Sequence, residues 1–461
     1  VSRSIFYKTS QAGKQRIGMI EAINDIRKKS IIKNIFYNDI KIQEEDLHKS
    51  RILSIFEGST ARTVGSLTAG AFMAGFLNYL GADDRLNGII AAIPVLSGAV
   101  MFLSPLFFET RSRRKAPITI GAFVARLLLS FLILVPLIIR NKNIGLAYLA
   151  VSYFMAHLII SFVAPPTTTW QISLAPERIR GKYFGIRESV VLGFVTIVTL
   201  GMGRILDASK ISGQQSNAFF LLFVLVLILS IINFIFACLI REPEVKLSGR
   251  PVQKSDVFLL PLRDKTFRKI TGLIILWNLG YQMSAPFTSV YMVSGLKLNY
   301  TFITLTGIFA AAASVINARI LGKIADKQSW LHISGICVGF QIASQLLWFF
   351  VNKDTAFYLA PFSQLLSGAA WGGINIAIMN IQFKYSPESM KTIYIGFSSA
   401  IGGLVGFASS LAGSLLITVL GNYRLTYFGF TAGSMQILFA LSGILMILCL
   451  AYINLLKNKI K

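Results

Sequence analysis

From Gly58 onward the chain alternates long apolar runs with short polar connections. An α-helix needs about 20 mostly apolar residues to cross a hydrocarbon core about 30 Å thick. Twelve runs meet that length. Spans 1 to 6 are expected at 59–81, 86–108, 116–139, 144–170, 183–205 and 217–240. Spans 7 to 12 are expected at 271–294, 299–321, 331–351, 357–383, 392–420 and 431–456. A polar connection over 241–270, with Pro243, Pro251 and Pro261, separates the two sets and is the candidate domain boundary. The pattern predicts an all-α polytopic membrane protein with a polar tail over 1–57, a first set within 58–240 and a second within 271–461. Within the tail, 17–36 and 44–56 have helical apolar spacing, which suits either helices lying on a membrane surface or a solvated segment.

Composition supports this class. The chain is 54% hydrophobic and only 14% charged, against about 25% charged residues in a soluble domain. No charged-then-apolar leader with a small-residue cleavage site opens the sequence, so span 1 is expected to act as its own insertion signal. The chain starts at Val1, and Met19 is a second candidate start. Cys238, Cys337 and Cys449 lie singly in apolar runs, without disulfide or metal-ligand spacing.

The net charge of +25 would suggest nucleic acid in a soluble protein, but here its placement changes the reading. With a cytoplasmic N-terminus, inside segments hold 33 Lys and Arg, outside loops hold 7, and Arg62, Arg126, Arg187, Arg204 and Arg319 lie within spans. The positive-inside bias therefore predicts a multi-pass protein of the cytoplasmic (inner) membrane with both termini inside, and no nucleic-acid partner.

The densest basic segment, PLFFETRSRRK over Pro105 to Lys115, joins spans 2 and 3. A weaker counterpart, Gly322 to Lys327, joins spans 8 and 9, and places Asp326 217 residues after Glu109. After span 4 the chain reads Pro176-Glu177-x-x-Arg180, and after span 10 Pro387-Glu388-x-x-Lys391, an offset of 211 residues. Two loops repeating at nearly one offset point to internal duplication, an architecture in which transporters place substrate between the halves.

At these residues the chain resembles the major facilitator superfamily. That family's loop between helices 2 and 3 reads Gly-x-Leu-Ala-Asp-Arg-x-Gly-Arg-Arg. Here Pro105, Phe107, Phe108, Glu109, Ser112, Arg113 and Arg114 fall in register, with Pro for Gly and Glu for Asp. The second copy keeps Gly322, Ala325, Asp326 and Lys327. The resemblance implies twelve transmembrane helices in two pseudo-symmetric six-helix bundles. It also implies alternating access around a cavity lined by helices 1, 4, 7 and 10. Glu109, Arg113, Arg114, Arg180, Asp326 and Lys327 are the implied cytoplasmic gate. A charge pair at helix ends can be made or broken by rigid-body motion. A topology determinant is the plainer alternative. Span 5 lacks the Gly-Pro-x-x-Gly-Gly signature of drug–proton antiporters, and span 4 carries His157 rather than an Arg.

Ionisable groups at membrane depth cost about 2.5–3.5 kcal/mol on insertion scales. Arg126 stands mid-span with no acid apparent at its depth in spans 1 to 6; a structural role is expected, with an anionic substrate group as the alternative. His157 is a candidate proton carrier or a neutral packing residue. Asn317 and Arg319 in span 8 are expected near the cytoplasmic gate. Candidate substrate contacts are Trp277, Asn278, Tyr281 and Gln282 in span 7 and Gln364, Trp371 and Asn375 in span 10, together with His157. Aromatic faces with uncharged amides suit a neutral, hydroxyl- or amide-bearing ligand, although amides also join membrane helices.

The expected function is secondary active transport of a small solute, with a small-molecule substrate, the lipid bilayer and a possible coupling proton or ion as partners, and a monomer favoured. Export of amphipathic compounds is the alternative within that class. A membrane-embedded lipid-modifying enzyme would need clustered His and carboxylates at one depth, which the spans lack. A sensor would need a larger soluble domain. No phosphate-binding loop of the Gly-x-x-x-x-Gly-Lys type occurs, and no cofactor is expected.

Overall fold

The computed structural model describes residues 43–108, 111–139, 141–243, 260–325, 329–387, 391–421, 423–427 and 430–459. Glu109, Asp326 and Lys327, and the candidate helix over 17–36, lie outside these residues.

All twelve spans are helical. Several helices overrun the expected limits: span 4 is Lys142–Ser173 and span 5 is Glu177–Ser212, 36 residues. At 1.5 Å per residue the latter is about 54 Å long, so it projects beyond the hydrocarbon. Local chemistry fixes the ends. Asn141 accepts from the amides of Asn143 and Ile144, and Asp264 from those of Thr266 and Phe267. Gly213, at φ 73°, ends span 5 in the left-handed conformation that Gly adopts without penalty.

The segment 44–56 is part of one continuous helix, Glu44–Leu67, which runs from the tail into span 1. Span 1 then breaks at Thr68–Ala69 and resumes as Gly70–Tyr79, with Gly70 at φ 54°. Among the described residues, nine helices are long and apolar enough to cross a membrane; spans 1, 7 and 10 are the three not among them. Span 1 is interrupted, and spans 7 and 10 carry the amides and aromatics noted above. Between spans 11 and 12 a short antiparallel hairpin pairs β1 (Leu425–Tyr427) with β2 (Phe430–Ala432), a small departure from the all-helical expectation. Its Thr, Tyr and Phe residues favour the pleated conformation.

The largest buried clusters divide by half. One gathers Leu77, Leu132, Leu149, Tyr153, Phe219 and Val226; another gathers Phe267, Ile333, Cys337, Ala377, Met446 and Ile453. Each half lends a residue to the other: Tyr300 joins the first-half core, and Ala74 joins a second-half cluster around Phe287, Trp348 and Phe439. Close helix approach depends on small residues. Gly368 and Gly372 of span 10 rest on the carbonyls of Ala310 and Ser314 in span 8, and Gly403 of span 11 lies against the Val95 carbonyl and Ala99 amide of span 2.

Candidate functional site

The face carrying residues 111–115 and the ends of the central connection is called here the basic face, and its opposite the far face. At the middle of the fold, where span 1 breaks, a cavity of about 290 Å³ opens between the halves. Ala69, Gly70 and Met73 of span 1 line it, with Asn87 and Pro94 of span 2, Tyr153 of span 4, and Tyr281, Gln282 and Ser289 of span 7. Backbone irregularity at membrane depth is tolerated where it borders a cavity, and the broken turn of span 1 satisfies that condition. Among the described residues, no charged side chain lines the cavity. Asn87 is 1% exposed; its amide nitrogen donates to the Ala74 carbonyl at 3.1 Å, while its oxygen has no partner. A buried orphan acceptor costs roughly 1–3 kcal/mol, and it borders a cavity in which a ligand hydroxyl or N–H would satisfy it.

The sequence candidates separate into groups. Tyr281 and Gln282 line the cavity. Trp277 and Trp371 form an aromatic cluster with Tyr281: Trp277 stacks on Tyr281 at 5.6 Å, and Trp371 meets Tyr281 edge-on at 5.0 Å. Asn278 turns away, donating to the Ile274 carbonyl at 2.9 Å and lying against Gly402 of span 11. Gln364 is half-buried and Asn375 exposed, one turn beyond Trp371; neither lines the cavity. His157 packs edge-on against Tyr153 at 4.4 Å, its Nε2 buried without a partner. Asn317 ties span 8 to the Ala369 carbonyl of span 10 at 2.6 Å. Sequence reasoning missed Asn87, Tyr153 and Ser289, because single polar residues in otherwise apolar spans carry no periodic signal.

Of the basic-turn residues, Arg113 is exposed and Arg114 half-buried. The carboxylate of Glu242 accepts from the Arg114 amide at 2.7 Å and the Lys115 amide at 3.1 Å, capping span 3 from the start of the central connection. Arg111 lies over the Phe107 ring at 3.6 Å, and Arg180 donates to the Ala175 carbonyl at 3.3 Å.

At the far face the halves are joined by hydrogen bonds. Asp207 of span 5 accepts from the amides of Tyr300 and Thr301 at 2.7 and 2.9 Å and from the Thr301 hydroxyl at 2.6 Å. Asn78 donates to Ser294 at 2.7 Å. Toward the basic face, Arg62 and Glu188 pair at 2.5 Å with side chains 55% and 46% exposed.

Behind that pair lies a buried charge network. Glu188 accepts from Arg187 at 3.0 Å, and Arg187 approaches Glu57 at 3.9 Å. Glu57 also receives Gln171 at 3.2 Å, and its backbone carbonyl receives Asn233 at 2.8 Å. Glu57 and Arg126 line one chamber of the first half. The sequence reading found no acid at the depth of Arg126 within spans 1 to 6; Glu57, in the tail by hydropathy, lies in the helix Glu44–Leu67 and borders the same chamber.

A family model described as "Major Facilitator Superfamily" matches residues 58–410. No curated protein matches. Among solved structures, a mutant of the nucleoside transporter NupG is similar at TM-score 0.62 and 12% identity, over 88% of this chain and 98% of that one. A D-xylose-proton symporter is similar at TM-score 0.62 and 13% identity, over 86% of this chain and 96% of that one. These likenesses speak for the fold.

Proposed function

The chain belongs to the Major Facilitator Superfamily, and from that membership we propose that it is a secondary active transporter moving a small, uncharged polar solute by alternating access. It is a multi-pass membrane transporter, not an enzyme. The observation that carries the substrate reading is the central cavity. Its polar groups are Asn87, Tyr153, Tyr281, Gln282 and Ser289, all uncharged, beside the Trp277–Tyr281–Trp371 cluster. Rings offer apolar stacking and amides offer directional hydrogen bonds, which suits a hydroxyl-rich ring compound. The fold neighbours are named for a nucleoside and for D-xylose with a proton, and this chemistry fits the same class.

The basic face is cytoplasmic by the Lys and Arg distribution. The Asp207 and Asn78 contacts join the halves at the far face, as alternating access requires of any state closed on that side. Coupling to a proton or ion supplies the driving force.

Thermal unfolding of the purified protein against nucleosides, pentoses, hexoses, amino acids and amphipathic cations tests this. A ligand at 100 times its Kd stabilises by about 2.7 kcal/mol. Stabilisation by a neutral hydroxylated compound, lost in Gln282→Ala, and uptake of that compound into proteoliposomes are the expected results. Stabilisation by amphipathic cations alone would replace this reading with export.

A further inference from the structure

A second chamber lies wholly within the first half, between spans 1, 3, 4 and 6, and shares no lining residue with the central cavity. Its volume is about 220 Å³. We propose that this chamber is a binding site for a small oxyanion, a carboxylate or phosphate group, held by Arg126.

Its lining holds one cation, Arg126, and one carboxylate, Glu57, and the adjoining ion pairs add two cations and one carboxylate. Arg62, Arg187 and Arg126 face two carboxylates, Glu188 and Glu57. Glu188 is taken by Arg62 and Arg187, and Glu57 by Arg187, Gln171 and Asn233. The two carboxylates are thus engaged by other groups, and the Arg126 guanidinium makes no hydrogen bond or ion pair among the described residues. A guanidinium carries five donors in a planar fork that matches a carboxylate or phosphate edge. At the middle of span 3 it has a high cost unless an acceptor is supplied.

A second observation points to the same place. Thr119, two turns before Arg126 on the same face and also lining the chamber, is 2% exposed, and its hydroxyl has no partner. The chamber thus presents a cation and an unused hydroxyl beside apolar groups from Ile118, Val163 and Trp170, and its one carboxylate, Glu57, is held by Gln171 and Asn233. Low-dielectric walls strengthen an ion contact. At about 30 Å³ per water, the volume admits a small oxyanion with a few waters. Free solute and the phosphate of a lipid headgroup share this chemistry.

The inference is independent of the transported solute. Thermal unfolding of the full-length protein in neutral detergent is followed while sodium phosphate or sodium acetate replaces sodium chloride at constant ionic strength. A parallel series uses phosphatidylglycerol and phosphatidylcholine vesicles. Saturable stabilisation is expected, with a midpoint raised at least tenfold in Arg126→Gln, less in Arg126→Lys, and several-fold in Thr119→Val. Response to free phosphate or acetate identifies a solute site; response to phosphatidylglycerol alone identifies a headgroup site, and either requires Arg126. No saturable response, or one equal in Arg126→Gln and wild type, means a hydrated chamber only and overturns the proposal. Should Arg126→Gln fail to insert, an unchanged midpoint in Thr119→Val overturns it equally.

Discussion

The carboxylate of Asp207 caps the helix that begins at Tyr300 and continues through Thr301, although the two residues belong to different halves of the molecule. An N-terminal cap is ordinarily supplied by the residue just before the helix; here span 5 supplies it across the interface. The cap exists only while the far face is closed. Hydrogen bonds to a charged group contribute about 1.5–3 kcal/mol each, so Asp207→Asn should move the population toward far-face opening by roughly tenfold. Spin labels at Lys210 and Asn299 would report it as growth of a longer distance. An unchanged distance distribution would show that apolar packing alone holds the seal.

The cavity assignment separates residues that the sequence treated alike. Gln282→Ala and Asn87→Leu should each weaken ligand binding about five- to tenfold, the size of one lost hydrogen bond. Gln364→Ala and Asn278→Ala should leave affinity nearly unchanged. Titration by thermal shift or calorimetry with the ligand found in the screen distinguishes them, and equal losses at all four positions would mean the site lies elsewhere.

Gly368 has no room for a side chain: a Cβ there would meet the Ala310 carbonyl of span 8. Backbone cannot step aside as a flexible side chain can. Gly368→Val should therefore destabilise by about 1–3 kcal/mol, as overpacking does, and lower the thermal midpoint. Gly193→Val, at a position with open space around it, is the matched control and should change it little.

Burial raises the pKa of the Glu242 carboxyl above its ordinary value, against the opposing pull of the Arg114 and Lys115 amides. A folded-state pKa above the unfolded one means the folded protein holds the proton more tightly. Its contribution is then fully present below the ordinary carboxylate pKa and lost as pH rises through the raised one. Stability of the wild type relative to Glu242→Gln should accordingly fall as pH rises through that window. A difference that is flat, or that grows with pH, would mean the two amide contacts outweigh the burial.

Much of the fold was legible from the pattern of apolar runs, because a membrane span must meet its length and hydropathy requirements within a single segment. The 105–115 turn and the repeated loop offsets were likewise local signals, and they sufficed for the family resemblance. Periodicity also brought Trp277, Tyr281 and Trp371 forward, but it fixes only which residues share a helix face. Packing decides how that face is turned. So Gln282 borders the cavity while Asn278, one turn earlier, closes onto its own helix and the glycines of span 11.

What the sequence by itself determined was the number of spans, their alternation and the side on which the cations gather, since each follows from the solvation of one stretch of chain. Only the tertiary structure decided the rest: the break in span 1 at the cavity, the cap that Asp207 lends to Thr301, and the gathering of Arg126, Glu57, Gln171 and Asn233 around one chamber. Those partners stand tens to hundreds of residues apart. Their energies arise from approach in three dimensions, which no local pattern of hydropathy or charge encodes.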